Sequence, residues 1–142
     1  MKLQVAIDRV PVERAMEIVK NITSEANIIE IGTSLTKEFG MRALRPVIEA
    51  TEGVAVLGDI KTCDEGKYEF DLGYRCGFSY LTVMGSASMG TLEACARSAA
   101  EHDGLMMIDL LECDETRIER ISGFTDAIYC LHTSTDEGST AD

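Results

Sequence analysis

Six short apolar segments alternate with amphipathic segments along the chain, and this alternation limits the fold more than any other feature. The apolar segments recur about every 25 residues and lie at 3–7, 27–31, 53–60, 78–83, 105–110 and 127–131. We predict that they are strands and that helices lie between them, at 12–22, 35–50, 64–76, 89–101 and 115–121. Strands and helices in strict alternation predict a parallel sheet covered by helices, which is an α/β fold.

Two α/β architectures remain open at this point, a doubly wound open sheet and a (β/α)8 barrel of the TIM type. A complete barrel takes about 200 residues or more. The chain has 142 residues, and the six predicted strands end before a polar tail at 133–142. We therefore expect a single α/β domain over 1–142 which, in the barrel alternative, is truncated after strand six.

The charge of the chain excludes some partners. Acidic residues outnumber basic ones by 25 to 13, and the formal net charge of −12 would repel a nucleic-acid backbone. The chain has neither an apolar run of about 18 residues, the length of a membrane span, nor a signal-peptide pattern. We expect a cytoplasmic protein that binds neither nucleic acid nor membrane. Its excess of carboxylates suits a hard divalent cation such as Mg²⁺.

A polar residue stands at or near the carboxyl end of every predicted strand. Because these ends form the active-site face of parallel α/β folds, we expect the residues to converge on one mouth. A single residue of this kind is more often a helix cap or a solvated charge, but ionisable groups on five of the six strands favour a functional site. The residues are Asp8, Glu30, Asp59 with Lys61, Thr82, Asp109 and His132.

The third predicted strand carries the most specific spacing, Asp59-x-Lys61-x-x-Asp64. Asp59 and Lys61 are two residues apart on a strand, so their side chains share a face and are expected to form an ion pair. A lysine held charged by carboxylates can donate a proton or stabilise an anionic intermediate. Asp64 falls at the start of the next helix, where a capping role is the alternative. The second histidine, His102, is interpreted as a helix C-terminal residue.

Asp8 together with Asp59-x-Lys61-x-x-Asp64 resembles the signature of the orotidine 5′-phosphate decarboxylase superfamily, and the resemblance extends over nearly the whole chain. Residues 3–8, 29–33 and 57–64 are similar to two of its branches, the 3-hexulose-6-phosphate synthases and the 3-keto-L-gulonate-6-phosphate decarboxylases. The resemblance implies a (β/α)8 barrel fold, here with six strands. It also implies a Mg²⁺ (or Mn²⁺) cofactor, a 1,2-enediolate intermediate, and a homodimer whose sites are shared across the interface.

The resemblance also implies roles for the strand-end residues. Glu30 and Asp59 would bind the metal, Asp8, Lys61 and Thr82 would contact the substrate, and Asp64 would reach into the site of the partner subunit. Asp109, and the lack of an arginine shortly after His132, favour the synthase branch. That branch is an aldolase in which His132 removes a proton from C1 of ribulose 5-phosphate, and the enediolate then attacks formaldehyde. Lys61, Asp64, Asp109 and His132 are its expected catalytic residues.

Three other functions are possible for such a chain, of which two stay open and one is disfavoured. The first is the sister decarboxylase, acting on 3-keto-L-gulonate 6-phosphate. The second is a catalytically inactive binding module that keeps the metal-binding carboxylates but lacks the phosphate-binding residues. In the superfamily these residues lie in loops that follow strands seven and eight, and only six strands are predicted here. The third, a phospho-acceptor receiver domain, is disfavoured because strand one ends in a single acid and strand five is not followed by a lysine.

Overall fold

The strands of the computed structural model, which describes residues 1–137, form one six-stranded parallel sheet in sequential order. Sequential order is the arrangement of a (β/α) barrel, whereas a doubly wound sheet reverses its order at a switch point. The prediction of a barrel-type fold with six strands is therefore confirmed. The strands are β1 (Gln4–Ile7), β2 (Ile28–Ile31), β3 (Ala55–Thr62), β4 (Tyr80–Met84), β5 (Leu105–Asp109) and β6 (Ile128–Cys130).

The helices lie between the strands, as the sequence predicts. They are α1 (Val12–Ile22), α2 (Thr33–Phe39), α3 (Arg45–Glu49), α4 (Gly66–Cys76), α5 (Met89–Glu101) and α6 (Glu115–Ile121). Within the described residues, no helix combines the length and the apolar character that crossing a membrane requires. Of the polar tail predicted at 133–142, a 3-10 turn at Thr135–Glu137 belongs to the described part, and 138–142 lie outside it.

The single helix predicted over 35–50 is wrong. Gly40 has a φ of 78° and its N–H donates to the Thr36 carbonyl, so α2 ends there in a backbone conformation that favours glycine. The chain then turns, and α3 restarts with Pro46 in its first turn. Likewise the helix predicted from residue 64 begins at Gly66, because Glu65 adopts a left-handed conformation with φ 55°.

The two faces of the sheet have different neighbours. On one face the helices pack over the main core, to which α1 contributes the buried Ala15 and Val19 of its predicted apolar stripe. On the other face a second, smaller apolar cluster forms a layer below the polar strand ends. Its buried members are Ile28, Leu57, Tyr80 and Met107.

Each member of this second cluster stands two residues before a polar strand-end residue. Ile28 precedes Glu30, Leu57 precedes Asp59, Tyr80 precedes Thr82, and Met107 precedes Asp109. Residues two apart on a strand share a face. The apolar layer therefore supports a polar layer directly above it, at the carboxyl ends of the strands.

Candidate active site

A cleft of about 650 Å³ opens at the carboxyl ends of the strands, and residues of all six strands line it. The sheet therefore curves around the cleft, and it brings together every polar strand-end residue that the sequence singles out. The cleft residues are Gln4, Asp8, Arg9, Glu30, Thr33, Ser34, Leu57, Asp59, Lys61, Thr82, Asp109, Cys130, Leu131, His132 and Thr135.

Asp59 is the most densely hydrogen-bonded carboxylate in the cleft. Its Oδ2 accepts from Lys61 Nζ and, at 2.5 Å, from Thr33 Oγ1, and its Oδ1 accepts from Thr82 Oγ1 at 2.8 Å. Burial alone would raise the pKa of Asp59, but the hydrogen bonds and the charge of Lys61 outweigh it and hold the pKa below its usual value. Asp59 is thus an ionised acceptor, as its predicted ion pair with Lys61 requires.

Lys61 lies between two carboxylates of the sheet. Its Nζ contacts Asp59 and is 3.6 Å from Asp109 Oδ2, so it joins β3 to β5. Burial lowers its pKa, but these two carboxylates more than offset the effect and the pKa is raised. The backbone at Lys61 has φ 47°, beside an irregularity in the β3–β4 register, which is a way for a strand to redirect a side chain. Lys61 therefore presents a permanent positive charge to the cleft.

His132 and Asp109 form a second pair in the cleft. The Nδ1 atom of His132 lies 2.8 Å from Asp109 Oδ2 and 3.0 Å from Oδ1, and Asp109 is 4% exposed. Asp109 Oδ1 also accepts from the Leu111 N–H at 2.9 Å, which fixes the carboxylate. Because a carboxylate can only accept, Nδ1 carries the proton in this pair and Nε2 is the ring nitrogen left to act as a base.

Glu30 and Asp8 form the acidic end of the cleft. Glu30 Oε2 accepts from Gln4 Nε2 at 2.6 Å. Burial raises the pKa of Glu30, and the negative charges of Asp59 and Asp8 add to this effect, which Gln4 offsets only in part. Asp8 Oδ1 accepts from Ser34 Oγ at 2.6 Å. An ionised Glu30 is therefore electrostatically disfavoured in this cleft unless a cation neutralises it.

The cleft contains oxygen donors suited to the Mg²⁺ that the resemblance implies. In residues 1–137, no group of three or more His, Cys, Asp or Glu side chains is arranged as a preformed metal site. Mg²⁺, however, is commonly held by one or two carboxylates, with substrate and water completing its coordination. Glu30 and Asp59 supply two hard oxygen donors from adjacent strands, and their mutual repulsion is what a divalent cation relieves. The donor set therefore fits Mg²⁺ (or Mn²⁺).

Asp64 does not enter the cleft of its own chain. It is exposed, its Oδ1 accepts from the Glu65 N–H at 2.8 Å, and it lines a separate groove at the starts of α4 and α5. This placement agrees with a side chain that acts elsewhere, and its contribution to the site of a partner subunit stays a prediction. His102 is also outside the cleft: it is the C-terminal cap residue of α5, as predicted, and contacts Asp71.

Some cleft residues were not identified from the sequence, notably Gln4, Arg9, Thr33 and Ser34. Gln4 had a usable signal, because it lies on β1 four residues before Asp8, and residues an even number apart share a face of an extended strand. Thr33 and Ser34 are the first two residues of α2, and their hydroxyl groups become partners of Asp59 and Asp8 only when the strands pack.

A curved parallel sheet in sequential strand order, with a charged cleft at the carboxyl ends of its strands, defines a protein of the (β/α)-barrel class. The family within that class follows from comparison of the sequence with family models. The model of the "Orotidine 5'-phosphate decarboxylase / HUMPS family" matches residues 1–141, and the chain belongs to this family.

Individual relatives agree with this assignment. The chain is 32% identical over 139 residues to a 3-hexulose-6-phosphate synthase of Mycobacterium gastri, with 96% of this chain and 67% of the relative covered. It is also similar to the crystal structure of 3-hexulose-6-phosphate synthase from Salmonella typhimurium, with TM-score 0.92, 28% identity, and 100% and 68% of the two chains covered. The chain thus spans about two thirds of the length of these relatives.

The sister branch shares the fold. A 3-keto-L-gulonate-6-phosphate decarboxylase from Vibrio cholerae superimposes with TM-score 0.86 at 24% identity, over 95% of this chain and 64% of that one. At this identity the likeness concerns the fold alone. The named synthases are the more similar in sequence, so the structural comparison and the sequence comparison point to the same branch.

Proposed function

We propose that the chain carries the active site of an aldolase that joins formaldehyde to ribulose 5-phosphate and forms a hex-3-ulose 6-phosphate. The observation that carries this proposal is the Asp109–His132 pair, set in the same cleft as a lysine held charged between Asp59 and Asp109. An acid–base residue beside a fixed positive charge suits a reaction that removes a proton next to a carbonyl group. The relatives named 3-hexulose-6-phosphate synthase support the same activity.

In the proposed reaction, His132 Nε2 takes a proton from C1 of ribulose 5-phosphate, and the electron pair of that C–H bond forms a C1–C2 enediolate. C1 then attacks the carbonyl carbon of formaldehyde, so that one C–C bond forms and the C=O double bond becomes an alkoxide. His132 returns its proton to that alkoxide. The former C2 carbonyl becomes C3 of a hexulose, and all atoms of both reactants remain in the product.

Lys61 and Asp109 have distinct tasks in this scheme. The charge of Lys61 stabilises the enediolate oxygen atoms as they become negative, which is where a preorganised cation contributes most to the rate. Asp109 holds the His132 ring in one tautomer and stabilises the imidazolium that forms after proton removal. Asp8 and Thr82, which also line the cleft, are the proposed contacts to the substrate hydroxyl groups.

Glu30 and Asp59 are the residues that would hold Mg²⁺ or Mn²⁺. When bound, the cation supplies electrostatic stabilisation of negatively charged oxygen atoms in this part of the cleft. Asp59 is already ionised for this purpose by Lys61, Thr33 and Thr82. We further propose a cytoplasmic homodimer in which the exposed Asp64 of each chain contributes to the site of the other.

The decisive experiment follows the consumption of ribulose 5-phosphate by the purified protein, with and without formaldehyde and with Mg²⁺ or a chelator. We expect formaldehyde-dependent consumption that requires the metal and falls by roughly 100- to 10,000-fold in His132→Gln, the usual share of a general acid–base residue. The matched control is His102→Gln, which removes a histidine that lies outside the cleft, at the C-terminal end of α5. Folded protein without turnover would overturn the proposal, and release of CO2 from 3-keto-L-gulonate 6-phosphate would replace it with the sister activity.

A further inference from the structure

We propose that Arg117 is a positioning residue for the Asp109–His132 pair, although Arg117 itself lies outside the cleft. The inference rests on the proposed function, in which this pair performs the acid–base step, and it deepens that function by naming a residue that acts through Asp109. Arg117 belongs to α6, and its side chain crosses from that helix to the loop at 85–88 that joins β4 to α5.

All three guanidinium nitrogens of Arg117 are directed at this loop and at the residue that follows it. Nε donates to the Gly85 carbonyl at 2.6 Å, Nη2 donates to the Ala87 carbonyl, and Nη1 lies 3.7 Å from Met89 Sδ. Among residues 1–137 the guanidinium has no carboxylate partner. A partly buried cation needs acceptors for its donors, and two backbone carbonyls suit the planar fork of an arginine. The side chain therefore fixes the loop to α6.

The α6 end of this contact is fixed as well. Asp114 is the N-cap residue of α6, and its Oδ1 accepts from the Arg117 N–H at 2.7 Å. A side-chain cap of this kind stabilises the first turn of a helix. The Arg117 side chain thus extends toward the loop from a backbone position that is itself held.

The loop is joined to Asp109 by a backbone hydrogen bond. The Gly85 N–H donates to the Asp109 carbonyl at 2.7 Å, one residue beyond the paired end of β4. Gly85 therefore contacts Arg117 through its carbonyl and Asp109 through its N–H. The approach is close, because a Cβ at residue 85 would stand 2.9 Å from the Asp109 carbonyl oxygen and 2.8 Å from Cys113 Sγ. A glycine permits this approach.

The backbone that follows Asp109 is held on the side of β6. The Leu110 N–H donates to the Cys130 carbonyl at 3.0 Å, and His132 follows Cys130 by two residues. The end of β5 is thus fixed between Gly85 on one side and Cys130 on the other. Because the Asp109 carboxylate approaches His132 Nδ1 to 2.8 Å, release of the Gly85 side should weaken this contact.

The test measures the tautomer of His132 by 15N NMR of the imidazole nitrogens, at a pH where the ring is neutral. The chain has two histidines, so His132→Gln assigns the signals and His102 is a reference outside the cleft. The Nδ1–H form of His132 should dominate in the unchanged protein, because Asp109 accepts that proton. In Arg117→Gln the ratio of the Nδ1–H form to the Nε2–H form should fall by roughly 2- to 10-fold, the effect of weakening one hydrogen bond. The signals of His102 should not change.

Four further variants are the controls and the independent checks. Arg120→Gln removes an exposed arginine of the same helix and should leave the ratio unchanged. Arg117→Lys keeps the charge but loses the fork, so the ratio should fall less than in Arg117→Gln. Gly85→Ala disturbs the same hydrogen bond from its other end and should lower the ratio too. Gly90→Ala should not, because a Cβ there would come no closer than 3.8 Å to Ser88 Oγ.

Several results would overturn the positioning role. These are an unchanged ratio in Arg117→Gln, an equal fall in Arg120→Gln, and an equal change at His102, which would indicate a general loss of structure. If Arg117→Gln does not fold, an unchanged ratio in both Arg117→Lys and Gly85→Ala overturns it.

Turnover separates this role from the proposed function. If the unchanged protein converts ribulose 5-phosphate and formaldehyde, Arg117→Gln should lower kcat and keep the KM for ribulose 5-phosphate, and a change in KM alone overturns the role. If the tautomer ratio shifts as expected but the unchanged protein has no turnover, the positioning of the Asp109–His132 pair stands and the aldolase proposal fails.

Discussion

The Nδ1 atom of His132 lies 2.8 Å from the carboxylate of Asp109, although 22 residues separate the two in sequence and they reach the cleft from different strands. The equivalent pair outside the cleft, His102 and Asp71, joins through Nε2 at 3.2 Å and links α5 to α4. Residues 1–137 thus contain two Asp–His pairs, of which one belongs to the candidate site and the other serves as an internal control.

The first prediction concerns Asp109→Asn. We expect a roughly 10- to 100-fold lower turnover of ribulose 5-phosphate with formaldehyde, because an amide cannot stabilise the imidazolium of His132 and can select the wrong tautomer. Asp71→Asn should leave turnover unchanged, since its partners Lys67, Ser98 and His102 all lie on α4 and α5, outside the cleft. Equal activity of the two variants would contradict the role given to Asp109.

The second prediction concerns Thr82, whose hydroxyl donates to Asp59 Oδ1 and accepts the Lys61 N–H. Thr82→Val keeps the shape but removes both bonds, so we expect the free energy of unfolding to fall by about 1–3 kcal/mol. The affinity for ribulose 5-phosphate should fall as well, because Asp59 and Lys61 lose their common anchor and the substrate loses a proposed contact. Urea denaturation and calorimetry measure the two effects.

Thr51→Val is the control for Thr82. Thr51 is equally buried, does not line the cleft, and donates its hydroxyl proton to the Ile48 carbonyl at 2.7 Å. This variant should lose stability but keep its affinity. A parallel loss of affinity in both variants would show that destabilisation alone explains the effect of Thr82→Val.

The third prediction concerns the pH dependence of stability at Glu30. Because the folded protein raises the pKa of Glu30 above its ordinary value of 4.5, the fold binds this proton more tightly than the unfolded chain does. As the pH rises from the ordinary pKa of Glu30 through its raised pKa in the folded protein, Glu30 ionises and the free energy of unfolding decreases. Above the raised pKa the whole loss of stability remains. We expect Glu30→Gln to raise the melting temperature at neutral pH and to lose this advantage at acidic pH. Glu38→Gln, an exposed change on α2, should show no such trend.

The fourth prediction concerns the metal. Mg²⁺ that binds the folded state should raise the melting temperature of the unchanged protein. At a concentration a hundred times the Kd, the free energy of unfolding should increase by about 2.7 kcal/mol. Glu30→Gln should abolish this gain although it is the more stable protein without metal. A Mg²⁺ response that survives in Glu30→Gln would remove Glu30 from the proposed ligand set.

The fifth prediction concerns Gly32, over which the Asp8 carboxylate lies. A Cβ at residue 32 would stand 2.2 Å from Asp8 Oδ1, so Gly32→Ala must displace Asp8 and disturb its hydrogen bond with Ser34. We expect weaker binding of ribulose 5-phosphate, with a loss of stability of about 1–3 kcal/mol from overpacking. Gly123→Ala is the control, since nothing lies within 4 Å of a Cβ there. Unchanged binding in Gly32→Ala would show that the position of Asp8 is not critical.

Much of this arrangement could be predicted from the chain alone. The alternation of apolar and amphipathic segments predicts all six strands and their parallel pairing, but it leaves two strand orders open, and the family resemblance is what favours the barrel order. The two-residue period of a strand then places Asp59 beside Lys61 and sets each polar strand end above an apolar residue such as Leu57. These are local regularities, and they survive folding. The break at Gly40, also a local signal, was missed because the apolar period continues on both sides of it.

The tertiary structure decided which hydrogen-bond and ion-pair partner each charged residue of the cleft has. The bonds of Gln4 to Glu30, of Thr33 to Asp59 and of Asp109 to His132 join residues on separate elements. They depend on the stagger and curvature of the sheet, which no short stretch of sequence contains. The sequence by itself determined that the ionisable residues at the strand ends converge on one cleft, although it did not identify Arg9 among them. Only the packed strands decided that Asp59 and Asp109 both engage Lys61, and that Glu30 is buried close to the negative charges of Asp59 and Asp8.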